Sequence, residues 1–233
     1  MDINQLVSLL VRNVNHHVAG KRSADSYDVV QMAQILAAFD SAKYLTDKML
    51  VAENVGSDLD LLQRAIGLRS FDGMVLEFGV ASGPTINHMA SLTAETIYGF
   101  DSFAGLPEAW RTGFQQGAFA QQIPKVRDNV ELIVGLFSET IPKFLKTVNG
   151  RKISLLHIDC DLYSSTKMVF EFLAPLIVPG TVIIFDEYFN YPGWCYHEFA
   201  AFQEFISERG LAYRYDSFVS KHQQVCVIIE SYR

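Results

Sequence analysis

Acidic residues in this chain recur at one kind of place, the end of a short apolar run. Glu77 lies in Met74-Val75-Leu76-Glu77-Phe78, and Asp101 follows Tyr98-Gly99-Phe100. Asp159 and Asp161 follow Leu155-Leu156-His157-Ile158, and Asp186 with Glu187 follows Val182-Ile183-Ile184-Phe185. If the runs are neighbouring strands, these carboxylates converge on one rim, where hard oxygen donors suit a cation such as Mg²⁺. A bound cation there stabilises a developing alkoxide. An acid after five apolar strand residues also needs a partner, which puts Asp159 first among them.

The first of these runs leads into Gly79-Val80-Ala81-Ser82-Gly83-Pro84. Gly79 and Gly83 let backbone approach a ligand, and the helix beginning at Pro84 offers free N–H groups. A nicotinamide fingerprint needs G-x-G-x-x-G, and Ala81 and Pro84 break it. Glu77 suits an amino group better than a pyrophosphate. Asp101, 18 residues beyond Gly83, stands where a carboxylate holds a ribose diol. The ligand described is a nucleoside that carries an ammonium and no phosphate, S-adenosylmethionine. The same residues alone would also serve as a plain strand-to-helix junction.

These residues need a scaffold. From residue 73 onward, apolar runs at 74–78, 96–100, 130–134, 153–158 and 181–185 alternate with helical patterns at 84–92, 122–128, 139–146, 166–176 and 197–208. Continuous apolar strands alternating with helices predict a mostly parallel sheet covered on both faces. Runs at 212–217 and 225–230 are too close for a helical crossover and predict an antiparallel hairpin. Residues 1–70 read as a helical cap, with helices in the first fifteen residues, at 29–50 and at 59–66, the last capped by Ser57 or Asp58 and ended by Gly67. Residues 71–233 read as one α/β domain.

Composition narrows the function classes. Hydrophobic residues make up 49% and charged residues 19%, enough apolar material for a full core. The net charge of −7, from 26 acids against 19 bases, opposes a nucleic-acid binder or attraction to an anionic membrane. The three cysteines, Cys160, Cys195 and Cys226, make no disulfide framework. With no signal peptide expected and no long apolar span, a soluble, cytoplasmic protein of a reducing compartment is the expectation.

Five stretches, EFGVASG (77–83), GFDSFAGLPEAW (99–110), GLFSETIP (135–142), HIDCDLYSST (157–166) and PGTVIIFDEY (179–188), together resemble class I S-adenosylmethionine-dependent methyltransferases, specifically the macrocin O-methyltransferase family. The resemblance covers about 110 residues in family order. It implies a Rossmann-like α/β fold and methyl transfer to a small-molecule hydroxyl, as in the modification of antibiotic sugars. It also implies that Glu77, Gly79, Ser82 and Gly83 frame the methionine portion of the cofactor, with Asp159 beside it. Asp101 would hold the ribose, with Ser102 and the 135–137 loop, Phe137 included, beside the adenine. Relatives bind magnesium through the aspartate matching Asp159 and an Asp-Asp pair. Here the pair is Asp186-Glu187, a departure by one methylene. The stretch 190–202 also departs from the family pattern and points to a different acceptor.

Other residues have two readings. His157 shares a strand face with Asp159 and is either a general base or a hydrogen-bonded core histidine. His197, in the helix after the fifth strand, is a second candidate base. His16 and His17 read as solvated. Asp161 reads as a cap on the helix near Ser164, and Glu187 as a metal ligand or a solvent-facing acid. The long stretch 103–119, with Phe103, Trp110, Phe114 and Phe119, reads as a lid. Tyr188, Phe189, Tyr191, Trp194 and Tyr196 form a second aromatic group, and both groups read as acceptor-pocket walls or subunit contacts. The apolar face of the N-terminal helices predicts a homodimer or higher homo-oligomer. The rival functions are N- or C-methyl transfer, a non-catalytic cofactor-binding protein, and a nicotinamide oxidoreductase.

Overall fold

The computed structural model describes Gln5, Ser8 and residues 28–232. Gln5 and Ser8 are helical; the rest of the predicted first helix, with His16 and His17, lies outside the described residues. Helix α1 (Val29–Lys48) starts where the Asp28 carboxylate accepts from the N–H groups of Val30 and Gln31. Strand β1 (Glu53–Asn54) and helix α2 (Asp58–Leu68) follow. Ser57 caps α2 by accepting from the Asp60 N–H, and the helix runs through Gly67 instead of ending there.

The α/β alternation then proceeds through β2 (Met74–Phe78), α3 (Pro84–Ser91), β3 (Ile97–Asp101), β4 (Val130–Val134), α4 (Phe137–Leu145), β5 (Ile153–Ile158), α5 (Tyr163–Leu173) and β6 (Val182–Phe185). Helix α6 (Glu198–Arg209) and strands β7 (Leu211–Phe218) and β8 (Val225–Tyr232) complete it. No helix forms at 122–128. Pro124 disfavours helical backbone just before it, and the Asn87 side chain ties this extended segment down by donating to the Lys125 carbonyl and accepting from the Arg127 N–H.

One eight-stranded sheet runs in the order β1-β7-β8-β6-β5-β2-β3-β4. Strand β8 lies antiparallel to both β6 and β7, and the other pairings are parallel. This is the expected mostly parallel sheet with an antiparallel C-terminal hairpin. Strands β2, β5 and β6 are buried at every position, which is why they read as continuous apolar runs. The chain leaves β2 toward β3 and β4, then returns on the other side of β2 with β5. That reversal opens a crevice at the carboxyl ends of β2 and β5.

The N-terminal segment packs on the same sheet. Strand β1 extends its edge beside β7. The Tyr44 hydroxyl of α1 lies 2.6 Å from that of Tyr215, which lies 2.7 Å from that of Tyr188. Two members of the second aromatic group serve this packing: Tyr188 and Trp194 are buried and touch Phe199, and Trp194 also meets Tyr44, whereas Tyr191 packs against Trp110 and Tyr196 is exposed.

Candidate active site

The turn after β2 is shaped by its neighbours. Gly79 has φ 93°, and a Cβ on it would overlap the carbonyl of Asp159. Val80 and Ala81 donate their N–H groups to one Asp101 oxygen at 2.9 and 2.8 Å, while the other oxygen accepts from the Phe103 N–H at 2.7 Å. Asp101 therefore wires the end of β3 to the glycine turn. Beneath the turn, Glu77 is fully buried; its Oε1 accepts from the Thr85 hydroxyl at 2.6 Å, and its Oε2 has no protein partner.

A cavity of about 350 Å³ opens at this rim, and Gly79, Asp101, Ser102, Phe137, Asp159 and Glu187 are among the residues that line it. Its volume suits a small-molecule ligand. Gly105, Leu106 and Phe119 of the segment predicted as a lid also line it. The lid's two arms are bonded to each other, Leu106 N–H to the Ala118 carbonyl and Gly117 N–H to the Leu106 carbonyl. A larger, shallow groove lies at the opposite end of the strands between α3 and the segment before β4, but there the Asn129 amide is already spent on the carbonyls of Ala90, Thr93 and Glu95.

Asp159, Asp186 and Glu187 each bring a carboxylate oxygen within 4.8 Å of the others. Burial, then repulsion from neighbouring carboxylates, holds Asp159 and Glu187 well above the usual carboxylate range. Glu187 Oε2 is buried without a partner, and Asp186 accepts from the Gln224 amide at 2.9 Å. Crowded, partly unpartnered, hard oxygen donors fit a divalent cation such as Mg²⁺. Glu187 does not face solvent. Asp161 caps no helix: α5 starts at Tyr163 without a side-chain cap. Asp161 instead sits at φ 63° with its buried carboxyl at the cavity, pushed up to about 7 by burial and by Asp186, with Arg111 opposing.

The two histidines stand apart from the cavity. His157 pairs with Glu77 across β2 and β5, fully buried, with Nδ1 3.8 Å from Glu77 Oε1. Burial lowers its pKa, but Glu77 more than offsets this and leaves it raised. Its Nδ1 has no hydrogen-bond partner, and one ring nitrogen lies within 4.8 Å of carboxylate oxygens of Glu77 and Asp159. His197 precedes α6, half-buried beside Trp110 and Tyr191, its pKa lowered by burial and then by Arg111. Neither lines the cavity, and neither do Glu77, Ser82, Gly83 or Asp186. Sequence reading passed over Arg111, whose guanidinium lies 3.8 Å from the Trp110 ring centre and 4.6 Å from that of Tyr191. It also passed over Glu198, a buried acid opening α6; the signal available was an acid directly before the apolar Phe199-Ala200-Ala201-Phe202.

Comparison with known proteins agrees with this geometry. Residues 76–188 match a family described as a methyltransferase domain. Over 159 residues the chain is 29% identical to the 8-demethyl-8-(2,3-dimethoxy-alpha-L-rhamnosyl)-tetracenomycin-C 4'-O-methyltransferase of Streptomyces olivaceus, a match that spans 56% of this chain and 59% of that relative. Among solved structures, a calicheamicin methyltransferase superposes with a TM-score of 0.59 at 21% identity, over 89% of this chain and 99% of that one. The O-methyltransferase NovP superposes with a TM-score of 0.56 at 18% identity, over 75% and 79%. Residues 76–188 are thus similar to a methyltransferase domain, and the chain shares the fold of the calicheamicin methyltransferase.

Proposed function

We propose that the protein moves a methyl group from S-adenosylmethionine to a hydroxyl of a small molecule, a sugar or a sugar-bearing natural product. The observation that carries this reading is the single cavity in which the glycine turn and Asp101 meet the carboxylates of Asp159, Asp161 and Glu187. The printed name of the Streptomyces relative, a 4'-O-methyltransferase of a rhamnosyl tetracenomycin, supports the acceptor class.

In this reading the methionine portion lies along the turn from Gly79, the ribose at Asp101, and the adenine beside Ser102 and Phe137. The acceptor oxygen attacks the methyl carbon in line with the carbon–sulfur bond. The bonding pair stays on sulfur, leaving neutral S-adenosylhomocysteine. A sulfonium needs little activation, so the site mostly supplies alignment. The acceptor proton passes to a carboxylate oxygen of Asp159, which lines the cavity. Mg²⁺ held by Asp159, Asp186 and Glu187 would stabilise negative charge on the acceptor oxygen.

The same reading places the protein in the cytoplasm as a homodimer or higher homo-oligomer. Three free cysteines and the exposed Val29, Val30 and Leu36 of α1 support it; no helix among the described residues is long and apolar enough to cross a membrane.

Incubation with S-adenosylmethionine and a rhamnosyl tetracenomycin, followed by mass spectrometry and NMR, tests the function. An O-methylated sugar formed together with S-adenosylhomocysteine supports it. A methyl group on nitrogen or carbon replaces it with the rival transfer. Binding of NADH in place of S-adenosylhomocysteine overturns it.

A further inference from the structure

We infer that Glu198 is a positioning residue that fixes the spacing between the two strand-end loops carrying Asp159 and Glu187, an inference that rests on the site reading above. Glu198 opens α6 and is fully buried. Its Oε1 accepts from the N–H groups of Cys160 and Asp161 at 3.3 and 3.2 Å, and its Oε2 accepts from the Glu187 N–H at 3.2 Å. One carboxylate thus grips the loop after β5 with one oxygen and the loop after β6 with the other.

The local backbone makes this grip possible. Asp161 takes the left-handed conformation, φ 63°. Successive N–H groups in such a turn point to one side and form a concavity that binds anions. An acid buried among other acids is costly unless donors compensate it, and here three backbone donors do. A neutral packing residue would avoid the repulsion but leave those N–H groups unpaired. Glutamine offers only one acceptor oxygen; its NH₂ would face the N–H of whichever loop it met. It fills the same space but holds one loop.

The test compares the full chain with Glu198→Gln and Glu198→Ala. Amide exchange by NMR reads the grip at Cys160, Asp161 and Glu187. Manganese titration by electron paramagnetic resonance reads the carboxylate trio, and calorimetry with S-adenosylhomocysteine reads the cofactor end. Glu198→Gln is expected to melt near the wild-type temperature and to keep its S-adenosylhomocysteine affinity. It should exchange faster at one loop and lose about tenfold to a hundredfold in Mn²⁺ affinity, the usual cost of an outer-sphere partner. Glu198→Ala should exchange faster at both loops. Unchanged exchange at all three amides, or wild-type Mn²⁺ affinity in Glu198→Gln, overturns the inference. Should the wild type bind S-adenosylhomocysteine and no Mn²⁺, the cation role proposed above falls. Should it bind no S-adenosylhomocysteine, the methyl-transfer reading falls. In either case the exchange rates alone decide for or against the grip.

Discussion

The carbonyl of Asp159 occupies the space that a Cβ at Gly79 would need. The glycine turn and the end of β5 are therefore built against each other. Glycine at 79 is demanded first by the protein's own backbone, and the ligand benefits from the closeness that results. Gly79→Ala must either leave φ 93° or push Asp159 away. The strained backbone alone costs about 1–3 kcal/mol, and the displacement moves a carboxylate of the trio. The expected outcome is a lower melting temperature together with weaker binding of S-adenosylhomocysteine in calorimetry. Wild-type affinity would show that the ligand does not depend on this junction.

Asp101 carries a second prediction. Its carboxylate already accepts three backbone N–H groups, which leaves free lone-pair capacity chiefly on Oδ1 for a ribose hydroxyl. Hydrogen bonds to a charged group are worth about 1.5–3 kcal/mol each. Asp101→Asn turns an NH₂ toward backbone donors and loosens the turn, so the dissociation constant for S-adenosylhomocysteine should rise about tenfold or more, since ~1.4 kcal/mol is one decade. A lowered melting temperature with unchanged affinity would assign Asp101 to the turn alone.

The carboxylate trio predicts metal dependence. Chelator treatment and dialysis should slow methyl transfer, and Mg²⁺ or Mn²⁺ should restore it. Asp159→Asn and Asp186→Asn each remove a charged donor while keeping size, and should weaken Mn²⁺ binding by at least about tenfold. Full turnover by the chelated protein would reject the role. Glu187→Asp separates reach from charge. If the longer arm matters, the shorter one should weaken Mn²⁺ binding.

Strands β2, β5 and β6 were readable because each is buried on both faces and so leaves a largely apolar run, as in Val182-Ile183-Ile184-Phe185. Acids at the strand ends could then be placed on one rim by chain direction alone. Asp101, Asp159 and Glu187 reach the cavity for that reason. What stayed hidden depends on contacts between distant segments. Asp161 reads as a helix cap because Asp commonly is one, yet it sits in a left-handed turn whose N–H donates to Glu198, 37 residues away. The segment 122–128 has helical composition, but Pro124 and the Asn87 side chain decide its shape. His157 lies two residues before Asp159, and only the pairing of β2 with β5 shows that Glu77 is its neighbour. The tyrosines after β6 give no sign of direction in the sequence: Tyr188 turns toward α1 and β7, and Tyr191 toward Trp110.

The acid cluster also sets a pH dependence. Burial and Asp186 raise the pKa of Asp161 from the usual 3.8 to about 7. A raised carboxyl holds its proton more tightly in the folded state, so its stabilising share is present below about pH 4 and is lost as pH climbs to 7. Above 7 both states are ionised and the full repulsion is felt. Asp161→Asn keeps the shape without the charge. In chelator-treated protein it should melt close to the wild type at pH 4. At pH 8 it should melt higher by about 3 °C or more, the shift made by ~1 kcal/mol in a chain of this size. Mn²⁺ should shrink that gap by supplying to the wild type the positive charge its carboxylates lack. A variant less stable than the wild type at pH 8 without metal would mean that Arg111 already neutralises Asp161, and the carboxylates would then have no electrostatic need of a cation.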